Sequence, residues 1–203
     1  MSAEPIFPLA TESDTATLLP FMREYYAFDG HGFDEHKARA ALITLLRDPN
    51  LGRVWLILDR IEHADPFPVG YIVLCFGYSL EWLGRDAFVD EFFLRPDYRG
   101  RGWGRMAMAF LEDAARSFNV TAVHLEVMQQ NTGALELYRK LGFKEHASTF
   151  LSKWMRRSFL SPLGRAVTEM ATIFLLRSLG LLLFFPAHRR GSSFLRDEKE
   201  GLA

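Results

Sequence analysis

Apolar and polar positions alternate along the chain with two different periods, and the change of period marks the elements. Pro5–Leu9 reads as a leading strand weakened by prolines. From Ser13 or Asp14, Leu18, Phe21, Met22, Tyr25 and Tyr26 follow helical spacing to about Phe28. Pro20 interrupts that pattern, so the helix is expected to start late or bend there. Glu35–Arg47 repeats the helical period, with Ala38, Ala41, Leu42 and Leu45 on one face. Gly52–Asp59, Val69–Tyr78 and Ala87–Leu94 are nearly continuous apolar runs parted by turn residues, and they read as an antiparallel meander. After a glycine-rich break the helical period returns from Trp103 to Phe118, with Met106, Ala107, Phe110, Leu111, Ala114 and Phe118 on the expected buried face. Ala122–Met128 is a strand. Asn131 caps a short helix that Gly142 stops. Phe143–Trp154 reads as a last strand. Strand, helix and strand from 87 to 128 form a βαβ unit, so the fourth and fifth strands should run parallel.

Composition changes this picture little. The chain has 203 residues, 49 % of them hydrophobic, and 18 Phe, enough for one well-filled α/β domain. A net charge of −1 gives no general field toward nucleic acid. The one cysteine, Cys75, excludes a disulfide framework and a cysteine zinc site, and no metal is expected. The N-terminus lacks a basic region followed by an apolar run, so a cytoplasmic protein is the expectation.

The chemistry concentrates in Asp90–Arg105. Two acids end a strand, a Pro96-Asp97 turn follows, and glycines alternate with Arg101 and Trp103 before a helix begins. The unpartnered N–H groups and positive dipole end of that helix favour a phosphate group. A P-loop is excluded, because no Lys-Ser or Lys-Thr follows the glycines. Gly102–Ala107 matches the G-x-G-x-x-A dinucleotide fingerprint, with Glu126 at the end of the next strand. That fold would begin with this loop, whereas here apolar strands precede it. The nicotinamide-dependent oxidoreductase reading therefore fits locally but poorly as a whole.

Arg99–Gly104 resembles the [RQ]-x-x-G-x-[GA] motif of the GNAT N-acetyltransferase superfamily. Asp90–Leu94, Asn131 and Leu137–Phe143 stand in that family's order. Val69-Gly70-Tyr71, the Tyr78–Arg85 hairpin and Asp90–Phe93 are most similar to diamine (spermidine/spermine-type) acetyltransferases. The resemblance covers about Phe7 to Trp154. It implies a mixed, mostly antiparallel sheet flanked by helices and splayed between strands four and five. Acetyl-CoA would be the co-substrate, and an amine would attack it directly.

The resemblance also implies the site. Phe92, Phe93 and Leu94 guide the pantetheine arm, and Arg99, Gly100, Arg101, Gly102, Trp103, Gly104 and Arg105 hold the pyrophosphate. Asn131, Ala134 and Tyr138 complete the coenzyme side, with Tyr138 as the acid that protonates the thiolate. A bulge is implied at Asp90-Glu91, either of which faces the amine. The family's diamine members carry Glu then Asp where this chain has Asp then Glu. Glu126, His124, Tyr26 and Glu81 fall on the acceptor side, together with Tyr25, Asp29, His31 and Trp82.

The acceptor stays open between a small-molecule amine and a protein amine. A CoA-binding module without catalysis is the other reading. Residues 1–154 are expected to be the acetyltransferase domain and 155–203 an apolar extension. For that extension, packing on the domain, a homodimer partner, membrane contact through residues 163–186 and a poorly ordered or non-native extension all remain open.

Overall fold

The central apolar runs pair edge to edge and form the middle of a five-stranded sheet. The structure is a computed structural model and describes residues 4–60, 65–147 and 151–153. Strands β1 (Pro5–Ile6), β2 (Gly52–Asp59), β3 (Phe67–Ser79), β4 (Gly84–Leu94) and β5 (Val120–Leu125) lie in the order β1-β2-β3-β4-β5. Neighbours are antiparallel except β4 and β5, which are parallel. The chain divides into two units, Met1–His146 and Ala147–Ala203. The sheet and its helices belong to the first.

Helices α1 (Thr15–Phe28) and α2 (Glu35–Arg47) cover one face of the sheet. Helices α3 (Trp103–Ser117) and α4 (Thr132–Lys140) lie on the other. Along β3, Tyr71 and Val73 pack toward α1 and α2, while Ile72 and Leu74 pack toward α3. Because both faces are covered, the strand reads as an unbroken apolar run rather than an alternating one.

Four sequence expectations change. Helix α1 starts at Thr15, ahead of Pro20, and runs through it. Burial of Leu18, Leu19, Phe21 and Met22 around the proline holds the helix together despite the hydrogen bond it cannot donate. The buried side of α3 is Trp103, Ala107, Met108, Leu111 and Ala115, and Met106 is exposed. The apolar stripe is wider than the contact, and its margin stays in solvent. Strand β5 stops at Leu125. Phe143–Ala147 and residues 151–153 form no strand. The remainder of the expected last strand and all of 155–203 lie outside the described residues. No helix among the described residues is long and apolar enough to cross a membrane.

Two irregularities position the site. β4 pairs with β5 only from Arg85↔Val120 to Val89↔Leu125, and Asp90–Leu94 continues without a β5 partner. The strands therefore part. On the other side of β4, Leu74 stands opposite Val89 and Val73 opposite Glu91, so Asp90 is an extra residue, a bulge.

Leu111 is fully buried at the centre of the α3 contact. Leu111→Ala is expected to cost about 2–5 kcal/mol, read as a lower urea midpoint with an unchanged slope.

Candidate active site

The bulge sets the direction of both acids. Val89 packs toward α3, so regular alternation sends Asp90 to the α1–α2 face. The extra residue then returns Glu91 to that same face, opposite Val73. Asp90 is exposed at the rim and Glu91 is buried, at 8 % exposure. The Tyr71 hydroxyl donates to Glu91 Oε2 at 2.5 Å. Tyr26, from α1, lies near the same carboxylate. Burial raises the Glu91 carboxyl to about 7, with Asp90 and Asp29 adding to the rise and the Tyr71 and Tyr26 hydroxyls opposing it. Partial burial raises Asp90 too. Burial lifts the Tyr26 phenol to about 12 and that of Tyr71 well above its ordinary value, so both stay protonated donors at neutral pH.

The glycine-rich loop is anchored at both ends in the core. Tyr98 ends a 3-10 turn (Pro96–Tyr98), and its hydroxyl donates to the buried carboxylate of Asp59 at 2.9 Å. Trp103 is buried against it, with ring centroids 5.0 Å apart. Between them Gly100 and Gly102 have φ of +73° and +85°, and a Cβ at either would meet nothing within 4 Å. The backbone there is left-handed and open to solvent, as a peptide cradle requires. Gly102 caps α3 without a side-chain partner, so the first N–H groups of the helix are available. These features fit a diphosphate. Arg105 is exposed in the first turn.

The two arginines differ from a simple pair of phosphate ligands. Arg99 donates from Nε to the Leu94 carbonyl at 2.8 Å. Its guanidinium stacks 5.3 Å from the Phe28 ring and 5.9 Å from Phe93, so it ties β4 to the end of α1. Arg101 lies 5.1 Å over the Tyr98 ring.

Across the parting, Leu137 of α4 sits where a Cβ on Gly104 would be 3.2 Å from its methyl group. Tyr138, the next residue, is half-buried and packs edge-on against Phe143 at 5.8 Å. Burial raises its phenol. Burial raises the Tyr25 phenol, with Asp29, Glu91, Asp90 and Tyr138 adding to the rise. Asn131 caps α4, its side chain accepting from the Ala134 N–H at 3.3 Å.

The profile of the Acetyltransferase (GNAT) family matches residues 19–143, more than half of the chain. The chain belongs to the GNAT acetyltransferase family. It is 31 % identical over 84 residues to a thialysine N-epsilon-acetyltransferase of Bos taurus, a stretch covering 41 % of this chain and about half (49 %) of that relative. To the Mus musculus protein of the same name it is 29 % identical over 80 % of this chain and 94 % of the other. Among solved structures, an integron cassette protein from the Cole Harbour salt-marsh metagenome is 33 % identical. It covers 74 % of this chain and 90 % of its own, with a TM-score of 0.63. The GNAT match leaves the nicotinamide reading without support, and Glu126, which that reading needed at a strand end, is exposed just beyond β5.

In this GNAT chain the acceptor-side expectations divide. Tyr25, Tyr26 and Asp29 gather near Glu91. His124 lies apart from them. Its Nε2 is 3.6 Å from Asp86 Oδ2, and its ring is 5.3 Å from Trp82, which also meets His146 at 6.1 Å. Glu81 and Glu126 are exposed and form no ion pair among the described residues. Cys75 is on the Glu91 side, but burial first, then Asp90 and Glu91, push its thiol up to about 11, so it is no thiolate nucleophile at neutral pH. No cluster of possible metal ligands occurs among the described residues.

The sequence reading named Tyr71 only within the Val69-Gly70-Tyr71 likeness and gave it no role at the site. Tyr71 lies inside an apolar strand and reads as core. Only the strand register with the bulge included places it diagonal to Glu91.

A carboxyl raised in the folded state binds its proton over a pH range where the unfolded chain has released it. Stability therefore falls as pH rises from the unfolded value of 4.5 toward 7. At 1.36 kcal/mol per pH unit, Glu91 contributes about 3 kcal/mol to that fall. Urea denaturation at pH 5 and pH 8 is expected to show the loss in the native protein and a flatter profile in Glu91→Gln.

Proposed function

We propose that this chain transfers the acetyl group of acetyl-CoA to a primary amine by direct attack in a ternary complex. The observation that carries the reading is the parting of β4 from β5 beside the open N-terminus of α3, with Asp90 and Glu91 on one wall. The peptide groups of Phe92–Leu94 that face the parting lack a strand partner and can pair with pantetheine amides as an added strand would. Gly100–Arg105 receives the pyrophosphate through backbone N–H groups at the positive end of α3. Arg101 supplies charge beside it.

Acetyl-CoA supplies the thioester carbonyl. Asp90, at the rim, holds the incoming ammonium, and Glu91 takes one of its protons, which frees the nitrogen lone pair to form the bond to the carbonyl carbon. A base that titrates near 7 is matched to that transfer. Tyr138 gives its phenolic proton to sulfur as the C–S bond breaks. Glu91 then releases its proton to solvent, and the second proton, shed by the nitrogen as the amide forms, restores Tyr138. The products are an N-acetyl amine and free CoA. Asp29, Asp90 and Glu91 among tyrosines suit a cationic amine, and the names of the bovine and mouse relatives support a small aminoalkyl acceptor over a protein one. The catalytic unit in this reading is residues 1–154.

Acetyl-CoA at millimolar concentration is expected to raise the melting temperature, and Gly102→Glu, which places a carboxylate in the cradle, to abolish the rise. A panel of amines is then assayed for released thiol. Binding without release from any amine would overturn the transferase reading. Tyr138→Phe is expected to lower kcat by roughly a hundredfold or more with little change in KM for acetyl-CoA, measured by initial rates.

A further inference from the structure

Tyr71 is 1 % exposed and its ring is fixed on both sides, by Phe21 at 6.3 Å and Phe93 at 6.2 Å between centroids. A buried phenol needs an acceptor. Here that acceptor is Glu91 Oε2, one diagonal step away across β3 and β4, since Tyr71 stands opposite Phe93 and Val73 opposite Glu91. With the ring held, the hydroxyl cannot follow the carboxylate through a rotamer change. It fixes the carboxylate instead. A carboxylate has two accepting oxygens, and the bond to Tyr71 is made to Oε2.

We propose that Tyr71 is a positioning residue: its hydroxyl fixes Glu91 Oε2 and leaves Oε1 to take the proton of the acceptor amine. The proposal rests on Glu91 being the base, as read above. The titratable groups around Glu91 are Tyr25 and Tyr26 from α1, Asp29 just after it, Tyr71 and Cys75 from β3, and Asp90 beside it on β4. Among the hydroxyls, those of Tyr71 and Tyr26 favour the ionised carboxylate, against burial and the two aspartates. Removing the Tyr71 hydroxyl therefore moves the Glu91 titration to higher pH.

The test is the pH profile of kcat/KM for the best acceptor amine in wild type, Tyr71→Phe, Glu91→Gln and the double variant, with melting temperatures alongside. Phe keeps the ring and its packing. Tyr71→Phe is expected to shift the acid limb upward by roughly one pH unit and so to lower kcat/KM at pH 7 about fivefold, with KM for acetyl-CoA unchanged. Glu91→Gln is expected to remove that limb, and the double variant to behave as Glu91→Gln alone. A lower melting temperature in Tyr71→Phe with an unmoved acid limb and rate would overturn the positioning role and leave the base intact. Wild-type activity and profile in Glu91→Gln would overturn the base assignment and the positioning role together.

Discussion

Between the pairs Leu74–Val89 and Val73–Glu91, β4 uses two residues where β3 uses one. In a regular strand adjacent side chains leave on opposite faces, and Glu91 would point into the apolar packing beneath α3. The bulge turns it over. Glu91 then meets Tyr71 and Tyr26, and Asp90 stands beside it at the rim. The bulge lies where β4 loses its pairing with β5, after Val89–Leu125. Extra twist at a bulge helps to part the strands. One local insertion thus aims the carboxylates and marks the start of the opening beside them.

The electrostatics of the opening have two poles. At one end are the N–H groups of α3 and the Arg101 guanidinium, suited to phosphate. Along the wall are Asp29, Asp90 and Glu91, suited to an ammonium group. Arg99 connects the two regions, bonded to the Leu94 carbonyl and stacked on Phe28 at the end of α1. Glu91 carries the tension between them. Burial and the neighbouring acids hold it near neutrality, while tyrosine hydroxyls keep the ionised form accessible.

Much of this was legible in the residues. Strands with both faces covered announce themselves as apolar runs, and the change from a meander to strand, helix and strand gave the parallel β4–β5 pair. The glycine spacing marked the left-handed loop, because that backbone leaves few other choices at Gly100 and Gly102. What depended on distant partners was not legible. The direction of Arg99 is set by Phe28, far earlier in the chain. The exposure of Met106 depends on how wide the sheet contact is. The difference between Asp90 and Glu91 depends on Tyr71, which looks like ordinary core until the register with β3 is known.

The central claim is that the coenzyme lies along the unpaired end of β4 and against the N-terminus of α3. Amide hydrogen exchange with and without acetyl-CoA tests it most directly. Slower exchange at Phe92–Leu94 and Gly102–Met106 is the expected result. Unchanged exchange in both segments under saturating acetyl-CoA, or protection confined to other elements, would contradict it.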